Sequence, residues 1–303
     1  MSAASRWVVA ALALVLTPAG ASAQELDPGA YWPIPTGVNV LTIANNFNSG
    51  DVAFDPSAPI DEASAKIDTV AIAFTRAFSL AGRSANAAVV LPVIGGNVEG
   101  LYLGEPAEVR RFGLGDPRLK LAINLYGARA MTPREFASYH QGGIVGVGIT
   151  VAPPLGQYDS TKLINLGTNR WSVKPEVGVS QTFGPWVVEM MAGVWLFSDN
   201  TDFVGGRTRE QEPIAATQVH VSFRFSRGVW LSADANYFTG GRTTIGSQEN
   251  LDLQRNSRVG ATFSASLDRS NAIRVSVSRG AYTTIGADFT SLAASYSYVW
   301  SQQ

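Results

Sequence analysis

The chain has 303 residues, no cysteine, and 23 basic against 24 acidic side chains, for a formal net charge of −1. That length admits one large all-β domain as readily as two small ones, while the lack of cysteine excludes a disulfide scaffold and the balanced charge without a basic stripe argues against a nucleic-acid partner. Beyond the first residues no apolar run reaches the roughly 20 residues that a spanning helix requires.

In chain order, Arg6, the apolar run from Trp7 to Leu16, a Thr17-Pro18 break and the small triplet Ala21-Ser22-Ala23 have the form of a secretory signal peptide cleaved before Gln24. The expected domains are therefore a signal peptide over 1–23 and a mature body over 24–303. Gln24 to Thr36, with Pro28, Pro33 and Pro35, reads as an irregular lead-in. Alternation of apolar and polar residues then predicts strands at about 37–45, 67–78, 86–93, 118–125, 144–151, 171–183, 186–197, 217–225, 229–238, 258–267, 273–278 and 292–300. Polar stretches over 47–66, 95–115, 152–170, 198–213, 239–255 and 279–287 read as loops.

Two hairpins allow a check on register. If Gly184-Pro185 is a two-residue turn, Phe183 pairs with Trp186, Ser180 with Glu189, Glu176 with Gly193 and Lys174 with Trp195. The three-residue connection Ser226-Arg227-Gly228 likewise pairs Arg224 with Trp230, Ser222 with Ser232, His220 with Asp234 and Gln218 with Asn236. In both, polar faces polar and the other face is an apolar band.

The connections after the first, third, fifth, seventh and ninth strands are long and polar, and those after the second, sixth, eighth and tenth are short. Sorting by parity is the mark of a transmembrane antiparallel β-barrel with long extracellular loops and short periplasmic turns. A twelve-stranded outer-membrane barrel is the expected fold, its last strand ending in the aromatic residue Trp300. The exception is Tyr126 to Gln141, where Thr132-Pro133-Arg134-Glu135 has the capping-box form and predicts a short periplasmic helix from Pro133 to about Tyr139. Folded up against Gly146 and Gly148, such a helix would occupy the space those glycines leave inside.

The expected inward faces carry Arg118, Lys120, Lys174, Glu176, Glu189, His220, Arg224, Asp234, Arg258 and Arg274, with the aromatics Trp195, Trp230 and Phe238. Charge of both signs facing inward suits either a water-filled lumen that orients a solute or paired charges that hold the wall in shape. Glu189 and Arg224, both near the short turns on adjacent strands, are an expected pair. Ser222, His220 and Asp234 share one face, which leaves an outer-membrane lipid hydrolase as a lesser alternative. Against it, Ser222 and His220 lie about 7 Å apart along the strand, a marginal distance for an activated nucleophile, and Val219, Val221 and Phe223 take the face where such an enzyme would meet lipid. No metal-ligand spacing and no cofactor motif is present.

Gly113-Leu-Gly-Asp-Pro117, Gly167-Thr-Asn-Arg-Trp171 leading into Lys174-Pro-Glu176, and Gly280 to Phe289 together resemble the outer-membrane transporters named after the MetA (meta-cleavage) pathway of phenol degradation. The likeness runs over about residues 30 to 303. It implies an outer-membrane protein of a Gram-negative bacterium, connected by name with uptake of aromatic compounds, and it assigns no site residues. The expected function is passive diffusion of small aromatic or hydrophobic solutes through the lumen. The expected partners are outer-membrane lipid, the solute, and the barrel-insertion machinery acting through the C-terminal strand. The alternative is a plugged structural or adhesive barrel.

Overall fold

The computed structural model describes residues 26–53 and 60–301, so the expected signal peptide lies outside the described residues. Twelve strands form the wall: β1 (Val38–Ala53), β2 (Ile60–Leu80), β3 (Arg83–Tyr102), β4 (Arg118–Tyr126), β5 (Gly143–Ala152), β6 (Ser172–Phe183), β7 (Trp186–Phe197), β8 (Ile214–Ser226), β9 (Val229–Gly240), β10 (Gln254–Ser266), β11 (Asn271–Tyr282) and β12 (Gly286–Ser301). Each pairs antiparallel with its sequence neighbours, and β1 closes on β12 from Val38 opposite Ser301 to Ala53 opposite Gly286. Closure leaves no unpaired wall edge, the condition for crossing hydrocarbon with strands.

The wall is inside out relative to a soluble sandwich. On β6 and β7, Val177, Val179, Met190, Val194 and Leu196 are exposed, while Lys174, Glu176, Ser180 and Glu189 are buried. A strand with an apolar outer face and a charged inner face is destabilised where the outer face meets water and stabilised where it meets lipid. At the short-turn end the exposed face becomes aromatic. Trp186 and Phe223 meet edge-on at 4.8 Å, and Phe223 and Phe225 at 5.0 Å, as part of an interfacial girdle.

Both hairpins adopt the expected register. Gly184 (φ 57°) and Gly228 (φ 93°) supply the left-handed residues their turns need. The β6–β7 ladder lapses only at Lys174 and Pro175, then resumes at Val173 opposite Leu196, because Pro175 has no N–H to give.

The polar stretches depart from expectation. Most of 47–66 is strand, with β1 running to Ala53 and β2 starting at Ile60, and much of 95–115 is the upper half of β3 plus a further strand, Glu105–Leu114, paired to it. The expected connection over 279–287 shrinks to three residues between Tyr282 and Gly286. In the stretches 198–213 and 239–255 four short strands make a separate sheet. A tilted membrane strand needs only about 9–11 residues, so the 21 of β2 and 20 of β3 project well past the membrane. There water bathes both faces, and the alternation that marks a strand disappears from the sequence.

Two of the sequence words meet at the long-loop end. Asp116 accepts hydrogen bonds from Gly156 N (2.8 Å) on one oxygen and from Thr168 N (2.8 Å) and Oγ1 (2.7 Å) on the other. At the opposite end the expected helix is α1 (Pro133–Phe136), shorter than predicted but with its complete capping box, Thr132 and Glu135 bonding each other reciprocally. It buries none of its residues, so it is not a lumen helix. The space beside the inward glycines is filled by Tyr31. A Cβ at Gly146 would lie 2.2 Å from the Tyr31 ring and one at Gly178 2.3 Å from it.

Candidate functional site

The site is the lumen, and the lead-in lies inside it. Before β1 the chain turns back into the barrel from the short-turn end. Thr36 N–H donates to Met131 O (2.8 Å), and Ile34 packs with Val38, Ala77 and Ala272. Trp32 packs on Val187 and Trp230. Farther in, Tyr31 occupies the glycine recess, Leu26 lies against Gly260, and Asp27 reaches Lys120 near the long-loop end of β4.

The attachment is polar and spread around the wall. Gly29 N–H donates to Glu189 Oε2 (3.0 Å) and Asp27 N–H to Gln218 Oε1 (2.9 Å). Asn124 Nδ2 donates to Tyr31 O (3.1 Å), and Tyr31 OH donates to Glu176 Oε1 (3.1 Å). The Asp27 carboxylate meets Lys120 Nζ at 2.9 Å. A prolyl, aperiodic segment can be held in this way because inward side chains of the wall supply hydrogen bonds that it cannot make internally.

Around this segment the expected lumen residues sort into groups. Lys120, Lys174 and Glu176 form one cluster with Asp27. Glu176 stands 2.9 Å from Lys174 Nζ and 3.6 Å from Lys120 Nζ, so two cations face two anions. Lys174 Nζ also lies 5.3 Å from the ring centre of Trp195, which is packed with Ile214 and Phe238. His220 and Asp234 form a second group at 2.8 Å (Nδ1 to Oδ1), with Thr262 Oγ1 donating to the other Asp234 oxygen at 2.7 Å. His220 Nε2 faces Gln218 Oε1 at 3.2 Å, and the buried Ser222 hydroxyl has no hydrogen-bond partner among the described residues. The contact that a serine hydrolase requires between base and nucleophile is therefore not made.

Arg224 and Trp230 belong to the short-turn mouth together with Trp32, and Arg274 lies over Trp230 at 4.9 Å. Arg118 and Arg258 are buried toward the long-loop end, where Arg258 donates to Phe289 O and, at 2.9 Å, to Ser291 Oγ. The expected pairing of Glu189 with Arg224 does not form. Phe223 is already opposite Trp186 across β7 and β8, so Arg224 lies beyond the end of the ladder, with its N–H on Pro185 O (2.9 Å), while Glu189 stands opposite His220. The stagger between neighbouring strands of a barrel makes height above the turns a poor guide to contact.

Asp27, Tyr31 and Trp32 were not among the expected lumen residues, and Gln218, expected on the inward face opposite Asn236, was assigned no part there. One available signal was geometric: Gly146, Gly148 and Gly178, on adjacent strands, demand something to fill a shared recess, and the aromatic pair Tyr31-Trp32 lies in the nearest segment without a lipid-facing pattern.

The fold has solved counterparts. The chain is 19% identical, at a TM-score of 0.76, to the COG4313 outer membrane channel from Pseudomonas putida F1, covering 91% of this chain and 100% of that one. It is 7% identical, at a TM-score of 0.52, to the transport unit of the autotransporter AIDA-I from Escherichia coli, with coverage of 88% and 90%. Both likenesses are of fold. None of the curated proteins matches. Residues 47–298 match the family model described as "Putative MetA-pathway of phenol degradation". Since the match spans well over half of the chain, from β1 to β12, the protein belongs to that family.

Proposed function

We propose that the protein is an outer-membrane channel of a Gram-negative bacterium, exported by a cleaved signal peptide, that passes small aromatic or hydrophobic solutes by diffusion through the barrel. The observation that carries this reading is the way the lumen is closed. The wall does not collapse on itself but is filled by residues 26–36, held by separable hydrogen bonds and one ion pair. Withdrawal of that segment leaves a polar, mixed-charge passage in which Lys174, Glu176 and Trp195 stand toward the extracellular end and Arg224 and Trp230 at the periplasmic mouth. The family's name supports an aromatic solute, and the likeness to a solved outer membrane channel supports conduction. No cofactor enters this reading. Outer-membrane lipid and, through β12, the barrel-insertion machinery are its expected partners.

Planar-bilayer recording of the mature chain and of a variant lacking residues 26–36 tests it, paired with liposome swelling in phenol, benzoate and sugars. The expected result is a small conductance that rises severalfold on deletion, with swelling for the aromatic solutes. A folded deletion variant that stays silent favours the second reading, a barrel whose filled lumen is structural and whose projecting strands and loop sheet do the work.

A further inference from the structure

At the short-turn end a cavity of about 430 Å³ opens beneath the lumen segment. Its walls come from three separate parts of the chain: Trp32 of the segment, Phe136, Tyr139 and Gln141 around α1, and Arg224 and Trp230 of the wall. The aromatic rings fall into two pairs. Trp32 and Trp230 meet edge-on at 5.3 Å, and Phe136 stacks on Tyr139 at 6.0 Å. The Arg224 guanidinium lies 4.4 Å over the Trp32 ring, and its Nη2 donates to Gln141 Oε1 at 2.9 Å. Glu189 acts on it only at a distance, and among the described residues no carboxylate forms an ion pair with Arg224. A half-buried guanidinium with a neutral amide as its hydrogen-bond partner has charge and donors to spare for an anion.

From this arrangement we infer that the cavity is a binding site for an aromatic carboxylate. The ring lies against the aromatic lining of the cavity and the carboxylate takes the donors of Arg224 that Gln141 leaves free. An engineered apolar cavity of about 150 Å³ holds benzene, so a single-ring acid and its water fit here with room left. Trp32 is both a wall of the cavity and part of the segment that fills the lumen, which places the ligand directly against that segment. This site deepens the channel reading, since its ligand would be a solute of the channel, but binding itself requires no conduction.

The test is isothermal titration of the purified, detergent-solubilised full mature chain with benzoate, benzamide and acetate, blanked against empty micelles. Tryptophan emission serves as a second readout, since Trp32 and Trp230 form the wall. Benzoate is expected to bind about tenfold or more tighter than either analogue, because benzamide lacks the charge and acetate the ring. Arg224→Gln is expected to reduce benzoate to the level of benzamide, and Phe136→Ala to weaken both ring compounds, with heat-modifiable gel mobility showing that each barrel is folded. Equal binding of benzoate and benzamide, no binding of benzoate, or an unaltered benzoate affinity in folded Arg224→Gln overturns the inference. A protein that binds benzoate but passes no solute would sink the channel reading and leave this site standing; one that conducts and does not bind would do the reverse.

Discussion

Tyr31 meets the barrel wall where three glycines leave no side chain, and this close fit makes the wall a lever on the segment. Gly178→Val would put a Cβ 2.3 Å from the ring, a clash that the segment can relieve by moving and the hydrogen-bonded wall cannot. Overpacking of this kind costs about 1–3 kcal/mol, and here the strain falls on contacts that hold the lumen shut. The variant is expected to insert normally and to conduct more than the parent in single-channel recording; an unaltered conductance would show that Tyr31 does not limit passage. Glu176 is the other pivot, since it touches Lys120, Lys174 and Tyr31 together. Glu176→Ala takes a carboxylate away from both buried ammonium groups and leaves Asp27 beside Lys120. Breaking a buried pair costs about 3–5 kcal/mol, so the urea midpoint of the folded barrel should fall clearly. The inward placement of these residues could be read from alternation along β6 and β7. Their partners could not, because Asp27 and Tyr31 lie in a segment with no period at all.

Among the elements, α1 and the segment inside the barrel share the short-turn mouth. The cap of α1 depends on the Glu135 carboxylate, which the Thr132 N–H and hydroxyl hold below its ordinary range. An acid lowered in this way supports the cap above the ordinary carboxylate range and loses that support as pH falls through its depressed value. Thr132→Ala is therefore expected to loosen α1 at neutral pH, where benzoate keeps its charge, weakening benzoate binding through Phe136 and Tyr139 while the barrel's unfolding midpoint stays unchanged. A benzoate affinity indifferent to this change would mean that α1 does not shape the cavity. The capping box made this helix visible in the sequence. Its periplasmic position was also the expected one, and the alternative of a helix folded into the lumen fails because Tyr31 fills the space beside Gly146 and Gly148.

For the molecule as a whole, closure of β1 on β12 sets the order of the wall, and Trp300 joins Tyr298 and Phe74 in aromatic contact near that seam. Alternation, turn residues and the parity of the connections were enough to define twelve strands, the registers of two hairpins and which face meets lipid. Those features follow from local chemistry: a strand side chain has only two directions, and lipid on one side with a polar interior on the other assigns each residue to one of them. The tertiary structure alone decided how far the strands project past the membrane, which lumen charges pair, and what fills the barrel. Outside the membrane water solvates both faces, so the period that announces a strand is lost. Inside it, the stagger of the wall sets which side chains meet, and residues 26–36 take their place only because inward groups from β4 through β9 converge on them at once.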